Sequence, residues 1–222
     1  RKRPFMWAGQ YQQSPEPRGG GIIKRHYWGM LDAEMGAEFG AKPNTYPAFE
    51  YVVASLDPAY TEKQENDPSG FVIMGLARDR NRNPKLIVMQ AWEKRLELHG
   101  SDSPPRIQGE ADKDWLERKK QTWGLVEWVA YECKRWHVDR LLIESKASGH
   151  SVAQEMRRLY GDQLWGVELV DPKSEDKSAR LWSVQHLFSD GAIIAPAIEQ
   201  NGAVFFRDWA QALIDQCAAV PK

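Results

Sequence analysis

The chain has 222 residues, enough for one large domain, or one domain with an extension, and for a sizeable buried core. Its 42% hydrophobic and 27% charged residues are those of an ordinary soluble globular protein, which excludes a disordered or fibrous chain. A formal net charge of −1 excludes a global basic field, so any nucleic-acid affinity must come from a local patch.

Residues 1–48 read as an irregular arm, because Pro4, Pro15, Pro17, Gly19-Gly20-Gly21, Pro43 and Pro47 interrupt any long element. Within it, Ile22-Ile23 and His26-Tyr27-Trp28 suggest a short strand that packs on the main body. From residue 49 to 222 the order becomes regular. Tyr51–Asp57, Phe71–Ala77 and Lys85–Trp92 are predicted strands with short connections, an antiparallel meander. Asp112 to Trp136 is expected as one long helix, with Leu116, Trp123, Val126, Ala130 and Cys133 on a single face. A fourth strand, Arg140–Glu144, precedes a helix from about His150 to Tyr160. Val167–Val170, a helix over Asp176–Phe188, a short Ile193-Ile194 strand and a final helix over Val204–Cys217 complete the series. The sum is a mixed α/β sheet with flanking helices.

Two acidic residues at the ends of apolar strands carry the most information. Asp57 closes Tyr51–Asp57, and Glu144 closes Arg140–Glu144. A charge buried at such a place costs several kcal/mol (~several per ion) unless it is paired or bound to a cation. Two of them in one sheet point to a shared metal site, because Mg²⁺ and Mn²⁺ take hard oxygen ligands and two-ion sites serve phosphodiester chemistry. Asp57 also reads as a turn-capping residue before Pro58, and Glu144 as an ion-pair partner of Lys146 or Arg140. Asp67, at the lip of the second strand, is an accessory candidate or a plain loop Asp before Pro68.

Ser145-Lys146-Ala147-Ser148-Gly149 leads from Glu144 into a helix whose N-terminal N–H groups suit a phosphate, with Lys146 adding charge. Lys173, Lys177 and Arg180 surround the start of a later helix. Arg78, Arg80, Arg82 and Lys85 form a basic turn. Both clusters read either as phosphate contacts or as solvated surface. No P-loop and no nucleophile elbow occurs, and among the five histidines only His150 falls near Glu144. Cys133 and Cys217 form neither a zinc set nor a disulfide framework, which fits a reducing compartment. No apolar run approaches membrane-spanning length, so no membrane partner is expected.

Val52-Val-Ala-Ser-Leu-Asp57-Pro-Ala, Leu142-Ile-Glu144-Ser-Lys-Ala-Ser-Gly149 and Asp176-Lys-Ser-Ala-Arg180, with Gly191 and Pro196 downstream, resemble the nuclease domain of phage terminase large subunits. Tyr11-Gln-Gln-Ser-Pro15 resembles the segment that leads from the packaging ATPase into that nuclease. The resemblance implies an RNase H-like fold and an endonuclease using two Mg²⁺ or Mn²⁺ ions to cut concatemeric DNA. Asp57 and Glu144 would be metal ligands. Implied partners are double-stranded DNA, the ATPase domain of the same subunit, the portal and the small terminase subunit, in the host bacterial cytoplasm at the procapsid. The family's third acidic motif is expected beyond Lys222, so the chain is read as a piece of a larger protein. The alternatives are a non-catalytic DNA-binding or motor-docking module and a related junction resolvase.

Overall fold

A computed structural model of the chain describes residues 21–59, 68–172 and 176–220. Its elements are β1 (Gly29–Leu31), α1 (Ala33–Glu38), β2 (Tyr51–Asp57), β3 (Ser69–Arg78), β4 (Pro84–Lys94), α2 (Asp112–Lys120), α3 (Leu125–Arg135), β5 (Arg140–Glu144), α4 (Ala147–Tyr160), β6 (Gly166–Val170), α5 (Lys177–Ser189), β7 (Ile193–Gln200), β8 (Ala203–Phe206) and α6 (Asp208–Ala218). The strands form a mixed sheet in the order β1-β7-β4-β3-β2-β5-β6, with β8 paired to β7. Counted from β2, the central path runs third, second, first, fourth, fifth strand. This is the RNase H-like arrangement expected, a meander followed by parallel strands.

The chain divides into two compact units. One comprises Gly75–Gln90 with the described parts of Arg1–Glu50 and Lys173–Lys222; the other comprises the described parts of Tyr51–Met74 and Ala91–Pro172. In the first, Leu31, Ala77, Ile87 and Ile194 form a buried cluster, with Phe39 and Phe49 packed against it. Phe49 occupies the space that a side chain at Gly75 would need. Residues 21–47 are more ordered than the prolines among them suggest. Ile22 and Ile23 are buried, but the strand is Gly29–Leu31, not Ile22-Ile23 or His26–Trp28, and Arg25–Tyr27 is a 3₁₀ turn. Asp32 caps the following helix by accepting from the Met35 N–H at 2.8 Å. Arg25 pairs with Asp215 of α6 at 2.7 Å, and the Ile22 N–H donates to the Val220 carbonyl.

In the second unit, period-two alternation builds β2: Val52, Ala54 and Leu56 are buried, while Tyr51, Ser55 and Asp57 are exposed. Leu141 and Ile143 are the buried pair of β5. Gly149, Val152, Ala153 and Met156 recur at helical spacing as the buried face of α4. Phe71 and Trp92 stack at 4.9 Å.

Two further expectations are corrected. The helix foreseen over Asp112–Trp136 is two helices. The Leu125 and Val126 N–H groups, which have no partner within a helix start, donate instead to the Glu97 and Leu98 carbonyls at 2.8 and 3.1 Å. The Glu127 carboxylate accepts from Gly124 N–H at 2.9 Å, and a side chain at Gly124 would strike the His99–Gly100 backbone. The helix foreseen from Val204 begins only at Asp208. Ala203–Phe206 is a strand that turns back on β7 through Asn201-Gly202, both at positive φ (52° and 77°). That is the two-residue hairpin turn Asn-Gly favours.

Candidate active site

The site lies in the second unit, where β2 and β5 run parallel and side by side. Val53 faces Arg140, Ala54 faces Leu141, Ser55 faces Leu142 and Leu56 faces Ile143. One step further, the same register sets Asp57 level with Glu144. Asp139 pins that register at the opposite end: its N–H donates to the Val52 carbonyl at 2.8 Å, and its carboxylate accepts from the Val52 N–H at 2.6 Å. Its own carbonyl accepts from the Gly166 N–H at 2.9 Å, which adds the start of β6. A one-residue slip would turn Asp57 to the other face of the sheet.

Burial raises the Asp57 carboxyl above its ordinary value, the hydrogen bond to the Glu144 carboxyl and that group's charge add to the rise, and Lys146 opposes it. With 65% of the Asp57 side chain in solvent, burial is weakened there by water, and the facing Glu144 carboxylate keeps the carboxyl raised. Glu144 is the deeper of the two, with 15% of its side chain exposed. The Lys146 Nζ stands 2.7 Å from Glu144 Oε2 and 3.7 Å from Asp57 Oδ1. The Glu144 hydrogen bond holds the Lys146 ammonium above its ordinary value, and the Asp57 charge adds to it.

The helix that follows is clamped to both strand ends. Lys146 is its N-cap, with no side-chain cap bond of its own. The Ser148 hydroxyl donates to the Pro58 carbonyl at 2.7 Å, tying the first turn of α4 to the residue after Asp57. The buried Ser69 hydroxyl accepts from the Ala59 N–H at 3.0 Å, fastening the same loop to β3. Gly149 lies against Glu144's backbone so closely that a Cβ would collide with the Glu144 carbonyl oxygen and sit 3.0 Å from its carbon. Ser145 Oγ and His150 Nε2 are 3.1 Å apart beside this corner.

The structure thus brings together Asp57, Glu144 and Lys146. Asp67 and Lys173 lie outside the described residues, as does Tyr11–Pro15. Among the described residues no group of three His, Cys, Asp or Glu side chains is placed to hold a metal ion. Lys177 and Arg180 are exposed at the start of α5, in the other unit, where Asp176 caps the helix through the Ser178 N–H. The basic turn serves its own geometry: Arg78 pairs with Glu50 at 2.9 Å and donates to the Arg82 carbonyl, Arg80 lies 3.6 Å from Glu38, and Lys85 donates to the Gly191 carbonyl. Arg82 is exposed at positive φ. Sequence reasoning missed Asp139 and the Ser148 clamp. An Asp immediately before a strand, 87 residues after its partner Val52, becomes meaningful only once the register is known.

No helix among the described residues is long and apolar enough to cross a membrane. No protein-family model matches the chain, and no curated protein is similar to it. Among solved structures it is similar to a mutant large terminase subunit from bacteriophage Sf6 solved with calcium, at 12% identity over 89% of this chain and 81% of that one, TM-score 0.47. It is also similar to the human cytomegalovirus terminase nuclease domain, at 16% identity over 78% and 75%, TM-score 0.40. A third is the fowlpox virus Holliday junction resolvase, at 14% identity over 62% and 72%, TM-score 0.33. At these identities and scores the likeness is one of fold alone, and nothing of those proteins' chemistry comes across with it.

Proposed function

We propose that the chain is a metal-dependent DNA endonuclease domain of a viral packaging terminase, cutting concatemeric double-stranded DNA by two-metal phosphodiester hydrolysis. The observation that carries this reading is the level placement of Asp57 and Glu144 at the carboxyl ends of two adjacent parallel strands. Ligands of open α/β sheets bind outside those ends. The donor set fits a hard divalent cation: two carboxylates face each other, one kept above its ordinary pKa by the other, and both already draw a positive charge to themselves. Asp57 and Glu144 would hold Mg²⁺ or Mn²⁺, with Asp67 as the accessory ligand. When bound, such ions supply positive charge that offsets the charge developing at the scissile phosphate.

The rest falls to the chain. Register and clamps hold the two carboxylates in place against their own repulsion, which is the preorganisation that electrostatic catalysis requires. The N-terminal turn of α4 offers backbone N–H groups to a phosphate beside them. Lys177, Arg180, Arg80, Arg82 and Lys173 are proposed as backbone contacts, which position DNA without reading its sequence. In the whole motor the ATPase domain, the portal and the small subunit would deliver the DNA.

The test combines metal uptake with cleavage. Mn²⁺ binding is measured for the chain, for Asp57→Asn and for Glu144→Gln, and nicking of supercoiled plasmid is followed with Mn²⁺, Mg²⁺ or EDTA. The expected result is uptake and nicking in the chain or in a form extended past Lys222, both lost in either variant. DNA binding without metal uptake in any form refutes the nuclease reading and leaves a non-catalytic docking module. A marked preference for four-way junctions favours the resolvase.

A further inference from the structure

Lys146 touches the same carboxylate oxygens that the proposed function assigns to metal. Its ammonium is 2.7 Å from Glu144 Oε2 and 3.7 Å from Asp57 Oδ1, so it stands between the two groups as a monovalent counter-ion supplied by the chain. A divalent ion that takes Glu144 Oε2 competes with this ammonium for the same oxygen, and like charges that close together repel. The side chain is also free to leave. It is 58% exposed and sits on the loop between β5 and α4, with its backbone at the helix N-cap. A swing of the four-carbon stem carries the charge from the carboxylates to the mouth of the α4 N-terminus, where a phosphate would bind.

We propose that Lys146 is an exchangeable internal cation that guards the Asp57–Glu144 pair until metal and a DNA phosphate arrive together. The inference rests on the proposed metal site and adds how that site is regulated. Without DNA, metal must displace an ammonium that has no better partner, so uptake is weak. With DNA present, the displaced ammonium gains a phosphate, so metal and DNA each tighten the other's binding by the same factor, as linkage requires. The carboxylate charge is thereby partly offset and the strand ends held together in the resting protein, and a loose divalent ion does not arm the site.

The test uses Mn²⁺ alone and Mn²⁺ with a short mixed-sequence duplex, with free Mn²⁺ read by electron paramagnetic resonance. Lys146→Gln and Lys146→Met both remove the charge at an exposed position, and circular dichroism checks that each folds. Without DNA, both variants should bind Mn²⁺ roughly three- to thirty-fold more tightly than the parent, the range that the loss of two part-exposed ion pairs allows. The duplex should raise the parent's Mn²⁺ affinity and change that of the variants much less. Equal or weaker Mn²⁺ binding in both variants overturns the inference while leaving the metal site intact. Absence of Mn²⁺ uptake in parent and variants alike overturns the proposed function and this inference together. Uptake that persists when Asp57→Asn is added to Lys146→Gln places the ion elsewhere and also overturns it.

Discussion

Replacing Gly149 by alanine sets two effects of known size against each other. Alanine is the better helix former, by about 1 kcal/mol at an interior position. Against this, the new Cβ would lie 3.0 Å from the Glu144 carbonyl carbon, 3.3 Å from Ile143 Cγ2 and well inside contact with the Glu144 carbonyl oxygen. Those neighbours are the backbone and core side chain of β5, and the same carbonyl already accepts from the Lys146 N–H at 2.8 Å. Restoring contact requires the helix or the strand end to retreat by roughly 1 Å, and overpacking of this kind costs about 1–3 kcal/mol. The collision matches or exceeds the propensity gain, leaving a net loss of up to about 2 kcal/mol and a fall in Tm of up to about 8 °C for a chain of this size. Because the strain falls on Glu144 itself, Mn²⁺ affinity should drop in parallel. Gly70→Ala is the control: nothing lies within 4 Å of its Cβ, so Tm should hold or rise by a few degrees (~0.4–1 kcal/mol) and metal binding should barely move. Calorimetry and a Mn²⁺ titration on both variants decide the matter. A Gly149→Ala protein as stable as the parent, with unchanged metal affinity, would refute the claim that this glycine lets α4 approach the site.

Asp139→Ala removes the carboxylate acceptor from the Val52 N–H and should cost about 1.5–3 kcal/mol, the range for a hydrogen bond to a charged group, while Asp139→Asn keeps an acceptor and recovers most of it in thermal melts. Asp57→Asn should raise Tm near neutral pH. A carboxyl raised above its ordinary 3.8 stabilises the fold while protonated and loses that contribution as pH climbs through the raised value, so the variant's advantage should fade on acidification towards 3.8. Arg118 hydrogen-bonds Glu110 and lowers its carboxyl to about 2 from 4.5, a contribution present above 4.5 and lost as pH falls through about 2. Arg118→Gln should raise the Glu110 titration, followed by carbon NMR, part of the way towards 4.5, since the Ile107 N–H and the Arg106 charge still hold it down.

Which parts of this protein can be read without its structure follows from the range of the forces involved. β2 and β5 are recognisable residue for residue because burial on one face imposes a local period of two, and because an acidic residue ends each apolar run. The helix break at Thr122–Gly124 is not recognisable, since its cause is non-local: the Glu97 and Leu98 carbonyls capture the N–H groups of Leu125 and Val126 from outside the helix. The strand Ala203–Phe206 is a different case. Asn201-Gly202 is a strong local hairpin signal, yet the apolar run after it also fits a helix, and only pairing with Ile198 and Glu199 decides between them. The site divides the same way. Asp57 and Glu144 stand out by residue type and place in the strand, whereas the two groups that hold them level, Asp139 and Ser148, are ordinary polar residues whose partners lie 87 and 90 positions away. The two carboxylates stand out locally because a charge at the end of an apolar strand needs a reason. The groups that position them do not, because a satisfied hydrogen bond leaves no trace in composition or period. The structure therefore adds most around the chemistry: it turns two suggestive acids into one registered pair, with a lysine already between them.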